Sequence, residues 1–119
     1  MIPPGVRIFV CTEAVDMRLG FDRLAYLARS RLGEDPEGGS LFVFGNRAAN
    51  RVKCLWFDTN GYCLLYKRLH RAVFELPLAS VGTTRAVRID GSALAKLLAG
   101  VERAQHSRRY DRTARGSAG

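Results

Sequence analysis

Leu41–Arg71, LFVFGNRAANRVKCLWFDTNGYCLLYKRLHR, combines the clearest folding signal of the chain with its densest mixture of cations and aromatic rings. Three apolar runs are separated by a basic loop (Arg47, Arg51, Lys53) and by Thr59-Asn60-Gly61-Tyr62. An Asn-Gly pair between apolar runs signals a tight hairpin, because both residues tolerate the positive φ of a type I′ turn. A two-residue turn at Asn60-Gly61 sets Thr59 against Tyr62. The register then places Phe57 opposite Leu64, Leu55 opposite Tyr66, Lys53 opposite Arg68 and Arg51 opposite His70.

Strand alternation divides this hairpin into two faces. Val52, Cys54, Trp56, Leu65 and Leu69 read as the core side. Arg51, Lys53, Arg68 and His70 fall on the other side with Phe57 and Tyr66, an arrangement that offers cations to phosphates and rings to bases or to packing. The plainer alternative is a helix lying over Leu55, Phe57 and Leu64, with the cations as its solvated rim. The candidate nucleic-acid-binding residues are Arg47, Arg51, Lys53, Lys67, Arg68, His70 and Arg71; the candidate core is Phe21, Leu24, Phe42, Phe44, Trp56 and Leu65.

Before this stretch, a Pro-containing lead-in (2–5) precedes a β-rich run from Val6 to Cys11. Asp16 is placed to cap a long helix reaching Leu32, with Met17, Phe21, Leu24, Ala28 and Leu32 at helical spacing. Gly20 sits awkwardly inside that helix, implying close backbone packing or a start one turn later, and Gly33 suits its C-terminal end. An acidic, breaker-rich loop, Glu34 to Gly39, follows. After the hairpin come a short strand at Ala72–Leu76, a Gly/Thr-rich link and a strand at Arg85–Ile89. A last helix, capped by Asp90 or Ser92, carries Leu94, Leu97, Leu98 and Val101 on one face. The expected fold is α+β: one small domain over 1–102, with a mostly antiparallel sheet of five or six short strands, a long helix after the first strand and a C-terminal helix. Residues 103–119 read as a basic, disordered tail.

The formal net charge of +8 points to a polyanionic partner, DNA or RNA. Half of the excess lies in the tail: residues 1–102 hold 14 Lys and Arg against 10 Asp and Glu, and 103–119 hold 5 Arg against Asp111. Cys11, Cys54 and Cys63, together with His70 and His106, have neither disulfide nor metal-ligand spacing, so no metal and no cofactor are expected. No apolar run is long enough to span a membrane and no signal pattern opens the chain, which implies a cytoplasmic protein.

Residues 2–101 resemble the TnpB-type accessory proteins encoded by the second reading frame of insertion-sequence-sixty-six transposons of bacteria. The resemblance rests on Pro3, Gly5, Val6 and Arg7, on the block Asp16-Met17-Arg18-Leu19-Gly20-Phe21-Asp22, and on Leu41-Phe42-Val43-Phe44 with Arg47 and Lys53. Leu55-Trp56-Phe57-Asp58 with Gly61, Lys67-Arg68-Leu69, Phe74, Pro77 and the closing Leu94, Leu97, Leu98 and Gly100 complete it. The chain departs from the family pattern at Ala48, His70, Ala72 and Leu76. The resemblance implies a non-catalytic role beside a separate transposase. The expected partners are DNA, including the ends of the transposon, and the transposase of the same element, met through the basic hairpin face. The alternative is a module that docks on the transposase without touching DNA. A nuclease built on Asp16, Asp22 and Asp58 is disfavoured, since each has an ordinary structural role as a cap, a first-turn helix residue or a turn opener.

Overall fold

A computed structural model describes residues 5–77 and 85–102. The basic 103–119 segment with His106, most of the lead-in and most of the Gly/Thr-rich link lie outside the described residues.

The elements are β1 (Ile8–Cys11), α1 (Phe21–Ser30), β2 (Leu41–Gly45), β3 (Arg51–Asp58), β4 (Gly61–Arg68), β5 (Ala72–Val73), β6 (Ala86–Ile89), α2 (Gly91–Ala99) and β7 (Val101–Glu102). Five strands make one sheet in the order β4-β3-β2-β1-β6, and β5 pairs with β7 as a separate ribbon. Neighbours in the sheet are antiparallel except β1 and β2. Those two run parallel because the connection through α1 returns the chain to the same end.

The middle strand, β2, is buried at every residue. Such a strand needs cover on both sides. Leu41 and Val43 pack with Val10, Phe74, Leu94 and Leu97 on the α2 side. Phe42 and Phe44 pack with Leu24, Ala25, Ala28 and Leu55 beneath α1. The small residues Ala25 and Ala28 let α1 approach the sheet, and the Phe9 ring stacks on Phe42 at 5.9 Å. α2 is capped by Asp90, whose carboxylate accepts from the Ala93 N–H at 2.8 Å. It ends at Gly100, where φ is 73° and the Val73 carbonyl oxygen would lie 3.1 Å from any Cβ. That close approach ties the helix end to the β5–β7 ribbon.

Several expectations are corrected. The first helix is not long: it spans 10 residues from an N-cap at Gly20, one turn later than an Asp16 start. Asp16 is occupied elsewhere, its carboxylate accepting from the Arg18 guanidinium at 2.7 Å and from the Arg18 N–H at 2.8 Å. The Arg18 side chain holds that carboxyl down at about 2, so the contact persists as pH falls through the usual carboxylate range and is lost only near pH 2. Phe21 and Leu65 do not lie in the core; they are 46% and 38% exposed. Phe21 opens the helix on its outer side, and Leu65 lies on β4, an outer strand of the sheet. Trp56 is half-buried against the α2 cluster, whereas Leu24, Phe42 and Phe44 are fully buried. The strand expected over Ala72–Leu76 shrinks to Ala72–Val73, and Val101 leaves the last helix to pair with it.

The hairpin turn is Thr59-Asn60, with Asp58 facing Gly61. Thr59, not Asn60 or Gly61, takes the left-handed backbone, at φ 59°. The register is therefore two residues off the expected one: Phe57 faces Tyr62, Leu55 faces Leu64, Lys53 faces Tyr66 and Arg51 faces Arg68. Phe57 and Tyr62 meet edge to face at 5.1 Å, and the Lys53 ammonium stands 4.9 Å over the Tyr66 ring. Each contact is worth about 0.5–1.5 kcal/mol, enough together to offset the roughly 1–2 kcal/mol of a left-handed threonine. A shift of two leaves every side chain on its expected face and changes only its partner.

Phe42→Ala is expected to cost about 3–5 kcal/mol in urea unfolding, as for a fully enclosed ring. Phe21→Ala, on the outer side of α1, should cost less than about 1 kcal/mol.

Candidate nucleic-acid interface

The cations singled out in the sequence do not share one surface. Lys53 is only 7% exposed. Its ammonium donates to the Leu19 carbonyl oxygen at 2.7 Å and rests on the Tyr66 ring, so it clamps the segment before α1 onto the sheet and offers nothing to a phosphate. Lys67 alternates to the opposite face, the side of Val52, where it donates to the Leu98 carbonyl oxygen at 2.7 Å and satisfies the C-terminal end of α2. Both leave the expected binding set for a structural reason. The helix-covered alternative describes this face: Leu55 is fully buried beneath α1, with Leu64 packed against the same cluster.

The remaining five residues gather at the open end of the hairpin, away from the Thr59-Asn60 turn. Arg51 and Arg68 stand directly opposite each other on β3 and β4. Arg51 donates to the Tyr66 hydroxyl at 3.3 Å, and Arg51, Tyr66 and Arg68 line a cleft of about 250 Å³. The β2–β3 loop is fixed by Asn46, whose Oδ1 accepts from the N–H groups of Asn50 at 3.1 Å and Arg51 at 3.0 Å. Asn50 and Ala49 in turn accept, through their carbonyl oxygens, from the Leu69 N–H at 2.8 Å and the Phe74 N–H at 2.6 Å. The loop bearing Arg47 is thereby locked to the bend bearing His70 and Arg71, and all three side chains are exposed. Among the described residues, ion pairs join Arg18 to Asp16, Arg29 to Asp35, and Arg31 and Arg85 to Glu13; none involves Arg47, Arg51, Arg68 or Arg71. Like charges set opposite on adjacent strands repel.

Tyr66, read from the sequence as a ring for bases or for packing, contacts both Arg51 and Lys53. The Asn46–Asn50 bracket was also missed, although a pair of Asn residues around a short loop is itself a turn signal. A larger groove of about 640 Å³ between α2 and the Phe74–Pro77 segment is mostly apolar and lies apart from these arginines. Asp16, Asp22 and Asp58 sit in the Arg18 turn, the first turn of α1 and the hairpin end respectively. Burial pushes the Cys54 thiol up to about 12 and raises that of Cys11.

The family model described as IS66 Orf2 like protein matches residues 6–108. This chain belongs to that family. Membership gives it a transposition-associated accessory role in an IS66-type element. It is similar to uncharacterized protein y4hO of Sinorhizobium fredii (strain NBRC 101917 / NGR234), 39% identical over 104 residues, which cover 86% of this chain and 88% of that one. Uncharacterized protein y4jC of the same strain is 35% identical over 104 residues, 86% of each chain. No solved structure matches. Among the described residues, no helix is long and apolar enough to cross a membrane.

Lys53→Ala is expected to destabilise by about 1–3 kcal/mol, because the Leu19 carbonyl loses its donor in a buried setting. Arg68→Ala should change stability by no more than about 0.5 kcal/mol in the same thermal melt. Thiol labelling at neutral pH should modify the half-buried Cys63 well before Cys11 or Cys54, since only the thiolate reacts.

Proposed function

We propose that this family member serves transposition by holding DNA at the open end of its β3–β4 hairpin. The opposed Arg51–Arg68 pair carries the reading: two guanidinium groups side by side, without a carboxylate partner among the described residues. A DNA backbone phosphate placed between them would remove their repulsion and accept from both. Arg47 and Arg71 extend the cationic end and His70 adds a hydrogen-bonding ring. The overall charge of +8 supplies long-range attraction to the same partner. Contacts of this kind position a duplex and do not read its sequence, so choice of the transposon ends falls to the transposase of the same element.

The test is a salt titration of binding to the element's terminal repeats and to random duplex. Arg47, Arg51, Arg68 and Arg71 together contribute a log-affinity versus log-salt slope of about −4, and Arg51→Ala with Arg68→Ala removes about 2 of it on both sequences. Absence of binding at low salt, or an unchanged slope in the double variant, defeats the proposal. Co-purification with the transposase that survives nuclease and is unaffected by the double variant would favour docking without DNA contact.

A further inference from the structure

β4 is one of the two outer strands of the sheet, eight residues long and without proline. Leu69 continues the β3 ladder by donating to the Asn50 carbonyl, in register with the β3–β4 pairs. Hydrogen bonding alternates along an antiparallel pair, so the backbone N–H and C=O groups of Tyr62, Leu64, Tyr66 and Arg68 point away from β3. Among the described residues no strand lies beyond them. Leu65 and Tyr66, the large apolar side chains of this edge, are 38% and 49% exposed. An open edge of this length is a template for another strand.

We infer that the strand it pairs with is β4 of a second copy of this chain, antiparallel, about a two-fold axis through Leu65. That register sets Tyr62 opposite Arg68 of the second copy and Leu64 opposite Tyr66 of the second copy. All four outward-facing residues of each strand are then paired. Charge selects the same arrangement. The Tyr62 hydroxyl donates to Glu37 at 3.4 Å, so the acidic Glu34–Glu37 loop lies beside the Gly61 end of β4. Arg68 and the adjoining Arg51 lie at the other end. Tyr62, Tyr66 and Arg68 share one face by alternation, and a two-fold axis normal to the sheet keeps that face common to both copies. Glu37 of each copy thus comes beside Arg68 of the other, twice per dimer, and Leu65 meets its own counterpart on the opposite face. The Arg68 guanidinium has donors for both Glu37 of the other copy and a phosphate shared with Arg51, so Arg47, Arg51, Arg68 and Arg71 form a basic cluster on each of two opposite rims of the ten-stranded sheet.

The experiment uses nuclease-treated full-length protein without DNA, so its outcome is independent of the salt-slope test. Sedimentation equilibrium should give twice the 13.2 kDa chain mass. In a Cys63→Ser background, Leu65→Cys should form a disulfide-linked dimer under mild oxidation, because symmetry-related Cα atoms at a non-hydrogen-bonded pair lie about 4.5 Å apart. Thr59→Cys at the hairpin tip should not. Leu65→Lys, at an exposed position, should weaken dimerisation roughly tenfold or more with an unchanged circular dichroism spectrum. Glu37→Arg should weaken it, and Glu37→Arg combined with Arg68→Glu should restore it. A monomer at every concentration overturns the inference, as does a dimer that cross-links equally at positions 59 and 65. A monomer whose β4 edge becomes protected only when transposase is added gives the edge to the transposase and also overturns it.

Discussion

Burial of β2 on both faces is the constraint from which the remaining architecture follows. Five successive residues from Leu41 to Gly45 are removed from water, with Leu41 and Val43 on one side and Phe42 and Phe44 on the other. A sheet with such a centre needs a helical layer on each side. α1 supplies one by linking the parallel strands β1 and β2, and α2 supplies the other after β6. A small chain with two layers of cover has little sheet surface left. Among the described residues, the end of the hairpin at Arg51 and Arg68 and the long edge of β4 are two of the places left open.

This geometry sorts the cations by position along the strand as much as by face. Lys53 lies two residues inward from Arg51, near the start of α1, and that is enough to bury it against Leu19 and Tyr66. Lys67 alternates to the opposite face and meets the end of α2. Arg51 and Arg68, the last pair within β3 and β4, remain without ion-pair partners among the described residues. Membership in the IS66 Orf2-like family gives the chain a transposition-associated accessory role.

Much of this was written in the sequence. The Leu41-Phe42-Val43-Phe44 run, Gly33 after α1 and the Asp90 cap on α2 are local patterns, set by side-chain volume, hydrogen-bonding capacity and backbone freedom within a few residues. Face assignment in the hairpin also survived, because alternation is fixed by strand geometry and a register shift of two preserves it.

What tertiary structure alone decided was which partners those patterns met. The turn shifted to Thr59-Asn60 because Phe57 with Tyr62 and Lys53 with Tyr66 pair better across the strands than the alternatives, a sum no local turn preference contains. α1 starts at Phe21, after an N-cap at Gly20, with the segment before it tied to the sheet by the Lys53 ammonium on the Leu19 carbonyl and the Val15 N–H on the Gly45 carbonyl. The fate of each cation depended on how far a helix distant in sequence reaches over the sheet. Leu41–Arg71 therefore fixed the strands and the faces by its own chemistry. Which of its charges reach solvent was settled by α1 and α2, since burial is a property of what packs on a residue.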